Sequence, residues 1–237
     1  NKVGNSYNLL TIESLDNKYF YFKNIKYFDF SKKILKFIGT TGLKKQFTSF
    51  TQIEKKFPVF CSKINLVEFL ENFDELIIDK IKKTVFFYKP NHFITYNIAK
   101  ISNIIPDKIS FDELFLQINR QFRRNIPSKQ ILIDFLKKGK YVIDDNFLYF
   151  KNIKPELLTN LEKSIVNDIK RRQNVFFVED ISDFVIKNEI EYTSSILIYL
   201  KYNPLFKNIA KHVYTLAGIN FSQFQIIEMQ NKRKIFN

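Results

Sequence analysis

The chain has 237 residues, 45% of them hydrophobic and 16% aromatic, which excludes intrinsic disorder. Its formal charge is +14 with a pI near 9.6, it has a single cysteine, and no apolar run approaches the roughly 20 residues of a membrane span. A disulfide framework and a signal peptide are therefore absent from the expectation, and the compartment expected is the cytoplasm (nucleoid-associated in a bacterium, nuclear in a eukaryote).

Residues 1–26 read as a wing-like hairpin, because DNKYFYFKNIK at 16–26 matches DDNFLYFKNIK at 144–154. The helices that should precede such a hairpin are missing and residue 1 is Asn. The chain thus reads either as the C-terminal piece of a longer protein or as one whose hairpin pairs with a neighbouring unit. A first unit follows over 27–93. FTSFTQIEKKF at 47–57 forms its middle helix, SKINLVEFLENF at 62–73 its third helix, and ELIIDK and TVFFYK its hairpin.

The second unit, 94–154, is the best formed. Ile98, Ile101 and Ile105 fall at near-helical spacing and Pro106 closes that segment. A short apolar stretch at Lys108–Ser110 leads into a helix capped by Ser110, with Asp112 and Glu113 in its first turn and Leu114, Ile118 and Phe122 on one face. Ser128 caps the next helix, whose stripe is Ile131, Leu132, Phe135 and Leu136, and Gly139 is placed to take the left-handed position beyond its end. YVI and FLYF then flank an Asp-Asp-Asn turn as a β-hairpin.

A third unit, 155–218, is expected to begin with a long helix over PELLTNLEKSIVNDIKRRQ, with Leu158, Leu161, Ile165 and Ile169 on one side. A strand (VFFVEDI), a short helix (SDFVIKNEI), a third helix (YTSSILIYLKYNP) and a closing strand (HVYTLAGI) complete it. The tail, 219–237, is expected to add a strand or short helix and to end in a frayed basic segment.

The units repeat. SKINLVEFL at 62–70 and SKQILIDFL at 128–136 are the same pattern 66 positions apart, each followed by an apolar stretch ending in Asp and by an aromatic strand. The order helix, short strand, helix, turn, helix, hairpin resembles the winged helix-turn-helix superfamily over 95–153, echoed at about 45–90. The resemblance implies an α+β, helix-rich fold: tandem winged-helix units, each of three helices plus a small β-hairpin wing. Units this small bury little core alone and are expected to pack together.

The lysine, asparagine, isoleucine and phenylalanine bias is that of AT-rich coding DNA, so total charge is a weak signal and clustering a better one. Only six arginines occur, and Arg120, Arg123 and Arg124 fall within five residues. From Arg120 to Lys140 there are seven basic residues against Asp134, whereas 61–75 carries Glu68, Glu71, Asp74 and Glu75 against one lysine. An acidic helix repels phosphates, so the second unit is the electrostatic candidate for double-stranded DNA.

In helix-turn-helix proteins the second helix of the motif sits in the major groove with its N-terminal residues facing bases. On that mapping Ser128, Lys129, Gln130, Asp134, Lys137 and Lys138 face outward, with Gln130 and Lys129 reading bases. Arg120, Arg123 and Arg124 would hold phosphates, and Lys151 and Lys154 the flanking backbone. Arg171 and Arg172 end a helix, where cations complement its dipole, and phosphate contact is the weaker reading for that pair. The strand aromatics Phe20, Phe22, Phe86, Phe87, Tyr149 and Phe150 read as core under a wing rather than as base-stacking platforms.

For an enzyme little is present. His92, His212 and Cys61 have no ligand spacing, and the five glycines form no phosphate cradle, so neither a metal, a cofactor nor a catalytic centre is expected. The expectation is a non-enzymatic DNA-binding module, acting as a transcription-type regulator or as the targeting part of a larger DNA-processing or defence protein. The rival is a protein–protein scaffold of winged helices within a larger complex, with a protein partner or a missing N-terminal domain. No membrane partner is expected.

Overall fold

The computed structural model describes residues 11–13, 19–21, 31–40, 47–62, 64–88, 93–105, 107–120, 126–190 and 193–236. The chain is α+β and divides into two compact units: one of residues 1–90 with 123–140, the other of 91–122 with 141–237. No helix among the described residues is long and apolar enough to cross a membrane.

The first unit opens with an antiparallel hairpin, β1 (Thr11–Glu13) and β2 (Tyr19–Tyr21), in the region expected to form one. Helix α1 covers residues 31–40 and buries Ile34 and Ile38. Strand β3 (Phe47–Ser49) runs straight into α2 (Phe50–Lys56), because Ser49 and Gln52 form a reciprocal capping box. Pro58 starts the short α3 (Pro58–Cys61), where its missing N–H costs nothing. Asn65 caps α4 (Leu66–Glu71) by accepting from Val67 and Glu68. Strands β4 (Leu76–Asp79) and β5 (Thr84–Phe87) close the unit, and β5 pairs on its other edge with β3. Ile34, Ile38, Ile53, Phe60, Phe69, Leu70 and Val85 form one core, with Phe69 edge-on to both Phe60 and Phe73.

The second unit takes up the chain at α5 (Phe93–Ile101), β6 (Lys108–Ser110) and α6 (Phe111–Asn119). Ser110 caps α6 as the sequence suggests, its Oγ accepting from the Glu113 N–H at 3.3 Å. Ser110→Ala is expected to cost about 1 kcal/mol, read as a lowered urea midpoint with unchanged slope. The chain then returns to the first unit for α7 (Lys129–Lys138), whose predicted stripe of Ile131, Leu132, Phe135 and Leu136 is fully buried. The ring of Phe135 packs edge-on to Phe86 and tilted against Tyr88, and α7 lies against β4. Compactness thus places α7 with residues 1–90 and cuts through the sequence unit 94–154.

The remainder of the second unit is β7 (Phe147–Tyr149), α8 (Asn160–Arg171), β8 (Phe176–Phe177), α9 (Ile181–Lys187), α10 (Thr193–Tyr202), β9 (Phe206–Ala210), β10 (Val213–Leu216) and α11 (Gln223–Phe236). A buried ion pair crosses this unit. Lys100 Nζ lies 2.6 and 2.8 Å from the carboxylate oxygens of Glu162, which also accepts from Asn203 and from the Thr159 N–H. Gly218 has a φ of +81°, and a Cβ there would stand 2.5 Å from Ile105 Cδ1.

One connection recurs three times. Strand orders are β3-β5-β4 and β8-β10-β9, and β6 pairs with β7, which is bridged on its other edge by Ile143. In each set the short first strand lies beside the last. In each, too, the first N–H beyond the short strand donates to the carbonyl just before the last strand. The pairs are Phe50 to Lys83 (2.9 Å), Phe111 to Asn146 (2.8 Å) and Val178 to His212 (3.0 Å).

Several expectations need correction. α8 starts at Asn160, because the Thr159–Glu162 capping box fixes its first turn there, and Leu158 lies outside it. VFFVEDI is extended only at Phe176–Phe177 and then coils into a 3-10 turn, Val178–Asp180, drawn in by the Asp180 carboxylate accepting from Phe177 N–H. Gly139 has a φ of −74°, and the left-handed residue is Lys140, at +56°, one position later. The YVI strand reduces to a single bridge, Ile143 to Leu148, with Tyr149 N–H bonded to Val142. Helix α5 ends at Ile101, leaving Ile105 half-buried beyond it, and the tail forms one helix up to Phe236. His212 occupies the exposed β9–β10 turn at φ +62° instead of opening the HVYTLAGI strand, which starts at Val213. Phe22, His92, Pro106 and Phe122 lie outside the described residues.

Candidate nucleic-acid interface

Helix α7 is oriented by its own apolar stripe. Ser128 is extended (φ −151°, ψ 160°), and its Oγ accepts from the Ile131 N–H, so the hydroxyl acts as a cap. With Ile131, Leu132, Phe135 and Leu136 buried, the opposite side presents Lys129, Gln130 and Lys137 to solvent. Lys138 is half-buried, its ammonium 5.8 Å from the Tyr88 ring centre. The amide of Gln130 donates to Asp134 at 2.9 Å, so a bidentate grip on an adenine edge requires that bond to exchange. The corresponding helix α4 carries Glu68 and Glu71 and is unsuited to a polyanion.

The other basic residues divide. Arg123 and Arg124 lie outside the described residues. Arg120 caps the C-terminus of α10, its guanidinium donating to Leu200 and Lys201 carbonyls at 3.1–3.3 Å. Burial pulls its pKa below the ordinary arginine range, against a smaller opposing effect of Tyr214. Such a side chain holds α6 to α10; it is not presented to phosphate. Arg171 and Arg172 both grip the buried Asp168, at 2.6 and 2.7 Å, and Arg172 also reaches Asp180 at 3.1 Å. Their guanidiniums are thus engaged by carboxylates at and beyond the end of α8. Lys151 and Lys154 are exposed and belong to the second compact unit. Lys154 lines a cleft of about 590 Å³ with Thr95, Tyr96, Ala99 and Pro155–Leu157.

Phe86 and Phe150 are buried core, and Phe87 and Tyr149 are half-buried. Cys61 is a free, half-buried thiol whose pKa is pushed up by burial and by Glu54, the wrong direction for a nucleophile. Among the described residues no group of three or more His, Cys, Asp or Glu could hold a metal ion.

Sequence reasoning passed over one basic feature, the β4–β5 turn Lys80-Ile81-Lys82-Lys83, in which all four residues are exposed. Its signal was in plain view: three lysines in four residues at a hairpin tip, around an isoleucine no core requires.

No protein-family model matches the chain, and neither curated proteins nor solved structures give a match.

Proposed function

We propose that the chain is a non-enzymatic DNA-binding module of tandem winged helices, with α7 entering the major groove. The observation that carries this reading is the thrice-repeated order of short strand, helix, helix and hairpin, with the first strand beside the last. Of the three third helices, α7 is the one with an exposed cationic face (Lys129, Lys137) and a clean N-terminal cap. Lys129 and Gln130 meet base edges; Lys137, Arg123 and Arg124 hold phosphates. Such a module serves a transcription-type regulator or the targeting part of a DNA-processing or defence protein.

A scaffold reading has its own support. The outward face of α10 bears Leu197 and Ile198, 40% and 58% exposed, whereas the exposed face of α7 is polar, with Lys129, Gln130 and Lys137. The third copy fits a protein surface better than a phosphate backbone.

Fluorescence anisotropy with a mixed-sequence duplex separates the two. For about four phosphate contacts, raising salt from roughly 50 to 200 mM should weaken binding on the order of a hundredfold. Lys129→Glu/Lys137→Glu and Arg123→Ala/Arg124→Ala should each weaken it further without lowering the melting temperature. Absence of binding at 50 mM salt overturns the DNA reading and leaves the scaffold.

A further inference from the structure

We infer that the DNA surface is composite: the hairpin that flanks α7 on the duplex is β4–β5, from the preceding sequence copy, and its Lys80–Lys83 turn enters the minor groove with Ile81 as an apolar wedge. This rests on the reading of α7 as the groove helix.

Three observations carry it. First, α7 and the β4–β5 hairpin belong to one compact unit and pack directly, through Phe135 on Phe86 and Tyr88. Second, the turn is built and not slack. The Asp79 carboxylate accepts from the Lys82 N–H at 2.8 Å, and Lys83 holds a φ of +50°. Its tip places Ile81, 92% exposed, among three lysines, of which Lys80 pairs with Glu71 on the surface. Minor-groove proteins use this combination of cations for the phosphates and an apolar side chain for the base step. Third, the turn that follows α7 in sequence is unsuited to the task. It presents Asp144 and Asp145 to solvent, and the Tyr149 hydroxyl and the Asn146 N–H hold the Asp144 carboxylate below its ordinary pKa, so it stays charged.

The test uses the full chain and a doubly end-labelled duplex, with anisotropy for affinity and end-to-end energy transfer for bending. Ile81→Ser, at a position almost fully exposed, should leave the melting temperature unchanged, weaken binding about five- to tenfold and abolish the bend. Lys82→Glu/Lys83→Glu should reduce the salt slope by about two. If both variants bind and bend DNA like wild type while Lys129→Glu/Lys137→Glu does not, the composite surface is overturned and the α7 reading stands. If wild type fails to bind at roughly 50 mM salt, both are overturned.

Discussion

Glu162→Ala is expected to destabilise the protein by about 3–5 kcal/mol, the cost of leaving one member of a buried ion pair without its partner. Glu162 is 1% exposed and Lys100 6%, and the carboxylate is held by Lys100, Asn203 and the Thr159 backbone together. Removing it strands an ammonium against Tyr96, whose ring centre is 4.8 Å away, and also deletes half of the α8 capping box. Replacing both partners, as Lys100→Met/Glu162→Leu, should recover much of the loss, because the desolvation of two charges disappears with them. A urea double-mutant cycle measures both.

The same pair sets a pH dependence. Burial works to raise the Glu162 pKa, but the bonds from Lys100, Thr159 and Asn203 outweigh it and leave the value depressed. Its contribution is therefore fully present above the unfolded carboxylate range, near about 4.3, and is lost as pH falls through the lower folded value. Burial works to lower Lys100, and Glu162 and Tyr96 outweigh it, so its pKa is raised. That contribution is complete below the unfolded lysine value and fades as pH rises through the folded one. Stability should plateau between these limits and fall on the acid side, and Glu162→Gln should flatten that acid limb.

Phe135→Ala is expected to cost about 3–5 kcal/mol, the range for deleting a fully buried phenyl ring. The ring sits with its centre 6.2 Å from Phe86 and 5.1 Å from Tyr88, so truncation leaves a cavity between helix and hairpin. Against a typical total of about 5–15 kcal/mol, this is a large fraction. Hydrogen exchange should show α7 amides losing protection first. On the DNA-binding reading proposed for α7, duplex affinity should fall together with stability in this variant, whereas Lys129→Glu/Lys137→Glu should lose affinity alone.

Some of the local chemistry settled within one helical turn was legible in the sequence. Ser110, Ser128 and the stripe Ile131–Leu136 announce their roles because a cap needs an oxygen three residues from an N–H, and a buried face needs period-3.6 spacing. Cationic side chains behaved differently. Arg120 reads as a phosphate ligand, but its guanidinium is held by the Leu200 and Lys201 carbonyls of α10, far away in the chain. A charge declares its sign in sequence, and a distant partner only in space.

The sequence by itself determined the caps Ser110 and Ser128, the buried stripe of α7, the repeat of SKINLVEFL as SKQILIDFL and the concentration of charge on α7. Only the tertiary structure decided that α7 seats on the preceding hairpin, which surface lysines share its compact unit, and that the third stretch, with little sequence echo, makes the same strand order and the same hydrogen bond at Val178. The reason is physical. Apolar periodicity says that Phe135 must be buried but is indifferent to what buries it, since the hydrophobic effect has no direction. Partner choice comes from the shape left open by Phe86 and Tyr88, and that shape exists only once β4 and β5 have paired.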